Sequence, residues 1–207
     1  MPQFPYKSPF TIKAISLLMV LFSLCLNGLY AQRGYVDGYV ILQNKDTVYG
    51  KLKDRNTFSG EIFQNIKFRA RGQGRKKYTA QDILGYHNGE HTFASLWYHE
   101  ESEFLRTTYH ATPYFKEKVF LIVYSEGPLS VYGKEFMDDS SYGDSFPLFK
   151  REGDDYYVRA TQGIFGLKKK NLARYFSDCP SLVSKIQEGE LKRTYEVAAF
   201  YNAHCVR

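Results

Sequence analysis

The chain has 207 residues, of which 43% are hydrophobic and 24% are charged. This length supports one well-formed hydrophobic core and argues against two large domains. The formal net charge of +6 is a mild excess, which favours solubility and weak attraction to anionic surfaces or glycans.

The first 31 residues have the layout of a signal peptide. Two lysines precede an uncharged, apolar segment from residue 14 to residue 26, and Ala31 is a small residue at the predicted cleavage point. A membrane anchor is the competing interpretation, but the apolar segment is short for a span of about 20 residues. A lipid anchor at Cys25 is a further alternative, which we rank below cleavage because the residue before this cysteine is bulky.

Cleavage after Ala31 defines the mature chain. It removes two lysines and no acidic residue, so 26 basic and 22 acidic residues remain and the net charge becomes +4. We expect an exported protein without a transmembrane span in its mature part, located in the periplasm, at the outer membrane or outside the cell. Because such a protein meets little nucleic acid, we predict no nucleic-acid partner.

Residues 32–167 predict a β-rich domain organised around a central hairpin at 118–137. An apolar run at 119–124 meets a Ser-Glu-Gly-Pro turn and then a second run that begins at Leu129. The β-branched and aromatic residues of both runs favour extended backbone, and the glycine and proline favour a turn. The first arm is apolar at every position, which predicts that both of its faces are covered.

Further strands are predicted on both sides of this hairpin, separated by turn residues. They are expected at 35–42, 47–52, 61–70, 78–86, 92–98, 104–109, 146–149, 156–160 and 163–167. The predicted fold class is therefore mainly β, with antiparallel sheets arranged as a sandwich or a partly open, barrel-like sheet. A short C-terminal helical segment makes the fold α+β overall.

The pattern changes to helical spacing after residue 167, so 168–207 predict a C-terminal helical hairpin packed on the β domain. Asp178 is a candidate helix cap and Pro180 suits the first turn of that helix, while Gly189 suits its end. Thr194 is a candidate cap for the following helix.

Cys179 and Cys205 are the two cysteines that remain after cleavage, and an even pair in an exported chain suggests a disulfide. Cys179 is at the start of the first predicted helix and Cys205 follows the end of the second. If the two helices are antiparallel, these two helix ends lie side by side and bring the cysteines together. Closing this loop would stabilise the fold by about 3–4 kcal/mol. Two unpaired buried thiols are the alternative.

Several short motifs occur along the mature chain in a definite order. They are Asp-Thr-Val-Tyr-Gly at 46–50, Asp-Ile-Leu-Gly-Tyr at 82–86, Glu-Gly-Pro-Leu-Ser-Val-Tyr at 126–132, Asp-Cys-Pro at 178–180 and Phe-Tyr-Asn at 200–202. Together with the leader, this order resembles uncharacterised secreted proteins common in Bacteroidota. The resemblance covers most of the mature chain and implies export and a β-rich fold; it implies no activity, cofactor or catalytic residue.

The candidate metal ligands are His87, Glu90, His91 and His99. They do not form a zinc-protease motif, because an Asn-Gly pair after the first histidine indicates a turn and the glutamate is misplaced. A turn can still bring His87 and His91 together across a hairpin, which keeps a secreted metal-dependent hydrolase as an alternative function. No nucleophile or oxyanion arrangement accompanies these residues, so we predict no catalytic residue and no cofactor.

A basic loop is predicted at 71–77. Its cations and a neighbouring arginine are candidates for contact with phosphate, envelope glycan or lipid headgroups, and a solvated surface is the alternative. These candidates are Arg69, Arg71, Arg75, Lys76 and Lys77. The 18 tyrosines suit stacking on sugars and mixed contacts at interfaces, although they are also common in β-sheets.

These observations favour a non-enzymatic binding or envelope-associated module that uses an aromatic and basic surface. The metal-dependent hydrolase is the first alternative. An accessory subunit of a larger envelope complex, with a protein partner, is the second.

Overall fold

The computed structural model describes residues 34–53, 65–104, 106–137 and 143–206, without the side chains of Met137 and Ile164. The predicted signal peptide and its cleavage site therefore lie outside the described residues. So does the first part of the strand predicted at 61–70. In the part of the chain that is described, no helix is both long and apolar enough to span a membrane.

In the described residues, twelve antiparallel strands form one sheet, which agrees with the predicted fold class. The strands are β1 Val36–Leu42, β2 Thr47–Lys53, β3 Asn65–Ala70, β4 Lys76–Thr79, β5 Ile83–His87, β6 Thr92–Trp97, β7 His99–Glu103, β8 Arg106–His110, β9 Lys118–Ser125, β10 Leu129–Met137, β11 Gly143–Arg151 and β12 Tyr156–Arg159. Their order in the sheet is β4-β3-β2-β1-β5-β6-β9-β10-β11-β12-β8-β7, which is an open sheet.

Two parts of this sheet curl, because strands that are far apart in the order are neighbours in the chain. β4 and β5 are the first and last of the first five strands in the sheet, but only three residues separate them in the chain. β6 and β7 are the first and last of the other seven strands, and only Tyr98 separates them in the chain. The buried side chains of the sheet form two clusters, the first mainly from the first five strands with additions from β6 and β9, and the second from the last seven strands and Tyr98. The first includes Val40, Leu52, Ile66, Phe68, Tyr86 and Phe93, and the second includes Tyr98, Tyr109, Leu121, Leu148 and Tyr157.

The central hairpin is confirmed as β9 and β10. Phe120, Leu121 and Ile122 are all buried in β9, although neighbouring residues of a strand point to opposite faces. Phe120 and Ile122 pack in the first cluster, and Leu121 packs in the second. The apolar run at this position is therefore required because β9 is covered on both faces.

Two strand predictions on the N-terminal side need correction. The stretch 78–86 is divided between β4 and β5 by a turn, in which the Asp82 carboxylate accepts hydrogen bonds from the Thr79 hydroxyl and amide, each at 2.7 Å. These hydrogen bonds lower the pKa of Asp82. β7 was not predicted, because its sequence His-Glu-Glu-Ser-Glu lacks apolar alternation; it is an exposed edge strand, where charged residues are common.

The strand predicted at 163–167 is wrong. Gly163–Phe165 is a 3-10 turn, and Gly163 and Gly166 have positive φ values of 60° and 75°. Glycine adopts such backbone readily, and these two residues interrupt the extended conformation that the apolar residues between them favour. Thr161 and Leu167 still pair, but as an isolated bridge.

Three helices follow the sheet: α1 Lys169–Tyr175, α2 Pro180–Glu188 and α3 Thr194–His204. α2 begins with the predicted proline and ends at Gly189, which has a left-handed φ of 80°, but its N-cap is Cys179. Asp178 accepts a hydrogen bond from Arg151 at 2.9 Å instead of capping the helix. Thr194 is the first residue of α3 and Arg193 is its N-cap.

The helices pack on β10 and β11 through a third apolar cluster. Its fully buried members include Leu129 and Phe149 from the sheet, with Leu172, Phe176, Leu182, Ile186 and Val197 from the helical segment. A disulfide joins Cys179, before α2, to Cys205, after α3, with 5.6 Å between their Cα atoms. The arrangement of the two helices therefore brings the two cysteines together as the sequence predicts.

Asn202 of α3 fastens the helices to the turn of the central hairpin. Its Oδ1 atom accepts a hydrogen bond from the Leu129 amide at 2.7 Å, and its Nδ2 atom donates to the Leu129 carbonyl at 3.1 Å. Gly127 has a φ of 156°, and a Cβ atom at this position would lie 2.5 Å from Asn202 Nδ2. The glycine thus permits the close approach that both hydrogen bonds need.

We expect Asn202→Ala to lower the free energy of unfolding by about 1–3 kcal/mol, because it leaves the amide and carbonyl groups of the buried Leu129 without their side-chain partner. Urea unfolding monitored by circular dichroism measures this loss. Asn171→Ala is the matched control, since Asn171 is exposed on α1 and the gain in helix propensity is the same. Equal stability of the two variants would contradict this role of Asn202.

Candidate functional site

His87 and His91 lie at the turn between β5 and β6, but with different neighbours. The His87 ring stacks on Tyr39 with 5.3 Å between ring centroids, and its Nδ1 atom lies 3.2 Å from the Thr92 hydroxyl. His91 Nε2 lies 3.5 Å from an oxygen of Glu90, and both side chains are exposed. These contacts are those of polar residues at a hairpin turn.

His99 is on β7 and belongs to a different surface. Its Nδ1 atom lies 3.1 Å from Glu117, and its ring stacks on Phe115 at 4.1 Å. His110 is opposite His99 in the register, contacts the same phenylalanine at 4.8 Å, and pairs with Glu101. Across the described ranges no group of three or more His, Cys, Asp or Glu residues is arranged to hold a metal ion. The four candidate ligands are thus not brought together by the described structure.

A polar cluster between the sheet and the helices has a structural role. The Arg151 guanidinium donates to Asp178 at 2.9 Å and to Asp154 at 3.3 Å, and it lies over the Tyr175 ring. The Tyr175 hydroxyl donates to Asp154 at 2.7 Å. Burial and this hydrogen bond raise the pKa of Tyr175, so the hydroxyl stays protonated as a donor. The cluster fastens the turn between β11 and β12 to α1.

A row of three lysines crosses three neighbouring strands of the sheet. In the register, Lys53 of β2 is opposite Lys67 of β3, and Lys67 is opposite Lys77 of β4. Residues directly opposite each other share a face of the sheet, and neighbouring strands are about 4.8 Å apart. Leu52 and Phe68 are buried on the other face, so the three ammonium groups lie on the solvent side.

A second cationic pair lies beside this row. Lys51 of β2 is opposite Arg69 of β3, two residues along from the first pair and therefore on the same face. Lys51 forms an exposed ion pair with Asp37 at 2.8 Å. For the other four cations, the described part of the chain supplies no salt-bridge partner. We call Lys51, Lys53, Lys67, Arg69 and Lys77 the basic face.

The basic face contains some of the predicted binding residues and not others. Arg69 and Lys77 are part of it, and Arg71 and Arg75 lie in the connection between β3 and β4. Lys76 and Lys77 are strand residues, so the predicted loop is shorter than 71–77. Lys76 is opposite Phe68 and therefore shares the other face of the sheet.

Three cations of the basic face were missed from the sequence: Lys51, Lys53 and Lys67. The available signal is the alternation of charged and buried apolar residues in Lys-Leu-Lys at 51–53 and Lys-Phe-Arg at 67–69. This alternation predicts that the charges of each strand share a face. It does not predict that the two strands, and β4 beside them, place those charges in line.

An aromatic row continues the same surface. Tyr49 of β2 is opposite Tyr39 of β1, and Tyr39 is opposite His87 of β5. The two tyrosine rings meet edge to face at 5.6 Å, while Tyr39 and His87 are stacked. Tyr49 is 72% exposed. Tyr49, Lys51 and Lys53 are at every second position of β2 and therefore share a face of this strand. An aromatic ring and two cations thus lie side by side on one strand.

The charges of the basic face oppose folding locally. Like charges directly opposite each other on neighbouring strands destabilise a sheet, and the row at Lys53, Lys67 and Lys77 contains two such contacts. An uncharged polar residue would serve equally well at an exposed strand position. Lys77 is on the edge strand β4, where a charge also prevents pairing with another sheet. Lys53 and Lys67 are on inner strands, so their charges raise the local positive potential at a local cost to the fold, as expected of a surface for anions.

Comparison with known proteins adds no assignment to this geometry. No protein family, curated protein or solved structure matches the chain. The resemblance to secreted proteins of Bacteroidota therefore stays a prediction. Two of the motifs behind it have structural explanations in this fold, because Asp178 pairs with Arg151 and Asn202 holds Leu129. The function has to be inferred from the basic face itself.

Proposed function

We propose that the protein is an exported, non-enzymatic binding module that holds an anionic polymer on its basic face. The observation that carries this proposal is the row of Lys53, Lys67 and Lys77 across three strands. Cations separated by about 4.8 Å across the strands and about 6.7 Å along them present a regular array to a chain of repeated anionic groups.

The composition of this surface supports binding rather than catalysis. Its side chains are cations and aromatic rings, and Asp37, the carboxylate that contacts it among the described residues, is paired with Lys51. General acid–base catalysis needs a proton donor or acceptor positioned on a substrate. The arrangement of His87, His91 and His99 gives no support to the metal-dependent hydrolase, because the described structure does not assemble them into a site.

The proposed location is the cell envelope: the periplasm, the outer membrane or the exterior of the cell. The leader at residues 1–31 supports export. The disulfide between Cys179 and Cys205 agrees with an oxidising compartment. An envelope glycan, a lipid headgroup and an acidic protein partner all carry the negative charge that the basic face fits.

The test is the affinity of the mature chain for dextran sulfate and for inorganic polyphosphate at low salt. We expect K53Q/K67Q/K77Q to weaken binding to both polymers by about 100-fold, since three contacts of about 1 kcal/mol each are removed. Binding of the unaltered protein should also fall steeply as salt is added, because exposed charges are screened.

A matched control removes the same charge elsewhere. K45Q/K170Q/K192Q neutralises three exposed lysines outside the basic face and should retain most of the affinity. An equal loss in the control would mean that net charge, and not the basic face, is responsible. A protein that binds neither polymer at low salt would remove the proposal altogether.

A further inference from the structure

Tyr49 lies where the aromatic row and the basic face meet. Along the outer face of β2, Tyr49, Lys51 and Lys53 follow each other at every second residue, which places their Cα atoms about 6.7 Å apart. Both lysines are exposed and Tyr49 is 72% exposed. A ligand lying along this strand therefore contacts one ring and two cations in succession.

The neighbouring side chains hold the Tyr49 ring at the surface. Tyr39 contacts it edge to face at 5.6 Å, and Tyr39 is itself stacked on His87 at 5.3 Å. An edge-to-face contact of this kind is favourable and leaves one face of the outer ring free. Tyr49 thus keeps a flat apolar face toward the solvent beside a set of positive charges.

An inorganic phosphate chain or an acyclic lipid headgroup has no ring to pack on this tyrosine. A pyranose does, because its C–H groups form a flat apolar face that packs on an aromatic ring, while its hydroxyl groups stay hydrated. A sugar on Tyr49 places acidic substituents of the same or the next residue near Lys51 and Arg69. The aromatic row and the basic face together fit a polymer that carries both rings and charges.

We infer that the ligand of this surface is an anionic polysaccharide, with one sugar ring stacked on Tyr49 and its acidic groups on Lys51, Lys53 and Arg69. This inference rests on the proposed binding function and assigns its ligand class. Tyr39 and His87 lie on the same face of the sheet and hold the Tyr49 ring in place.

The experiment compares dextran sulfate, which has sugar rings, with inorganic polyphosphate, which has none. We expect Tyr49→Ala to weaken binding of dextran sulfate by about tenfold and to leave binding of polyphosphate within twofold. Tyr49→Phe keeps the ring and should retain dextran sulfate binding. Tyr195→Ala, which removes another exposed tyrosine on α3, should change neither affinity.

The outcomes separate this inference from the function on which it rests. If Tyr49→Ala weakens both polymers equally or neither, the polysaccharide assignment is wrong and the anion-binding function stands. If the unaltered protein binds neither polymer, both are wrong. Tighter binding of single-stranded DNA than of dextran sulfate, lost in Tyr49→Ala, would overturn the assignment in favour of a nucleic acid, whose bases also stack on tyrosine.

Discussion

Phe176→Ala is expected to lower the free energy of unfolding by about 3–5 kcal/mol, the typical cost of emptying a buried phenylalanine site. Phe176 is fully buried, and its ring contacts those of Phe149, Tyr175 and Tyr201 at 4.8–5.7 Å. It therefore joins β11 to α1 and α3. Urea unfolding followed by circular dichroism should show a lower midpoint with an unchanged slope.

Phe165→Ala is the matched control for this prediction. Phe165 lies on the 3-10 turn before α1 and is 77% exposed, so the same chemical change should alter stability by less than about 0.5 kcal/mol. A Phe176→Ala variant as stable as this control would mean that the helices do not depend on the apolar cluster that the structure shows.

C179A/C205A is expected to lower the free energy of unfolding by about 3.5 kcal/mol. The disulfide spans 26 positions of the chain, and a loop of this size restricts the unfolded chain by about that amount in the chain-entropy model. For a protein of this size, the loss corresponds to a decrease in Tm of roughly 10 °C. Thermal unfolding with and without a thiol reductant measures the effect.

The reductant supplies the internal control for the disulfide. It should lower the Tm of the unaltered protein toward that of the double variant and leave the variant itself unchanged. If reduction has no effect on the unaltered protein, the covalent link does not stabilise the fold. If the double variant is less stable but reduction does not lower the Tm of the unaltered protein, the loss comes from packing of the buried Cys179 side chain and not from the disulfide.

The basic face illustrates how a binding surface can be recognised without a catalytic motif. Lys53, Lys67 and Lys77 repel one another across the strands, and among the described residues no carboxylate forms an ion pair with any of the three. Bound anions would remove this repulsion, so a ligand should also stabilise the folded state. The same physics explains why the proposed affinity depends on salt.

Local sequence patterns were sufficient for several parts of this fold. The middle of the apolar run in β9, Phe120 to Ile122, is buried on both faces, so its composition predicts a central strand. Pro180 and Gly189 mark the start and end of α2 because each residue suits one backbone conformation. The pairing of Cys179 with Cys205 follows from the short helical segment between them.

Two other features did not follow from side-chain alternation. Gly163 and Gly166 end the extended backbone at 163–167, although the apolar residues there resemble a strand. The pattern of charges in β7 does not resemble a strand, yet pairing with β8 makes it one. In both places the backbone conformation is decided by glycine or by a partner strand and not by side-chain alternation.

For the candidate site, the sequence by itself determined that cations cluster near residue 75 and that tyrosines are abundant. Tertiary structure alone decided which of them share a surface. Lys53, Lys67 and Lys77 are far apart in the chain and meet only through the register of β2, β3 and β4. Lys76 and Lys77 are on opposite faces because neighbouring residues of a strand alternate, and the register decides that Lys77 is the one that joins the row.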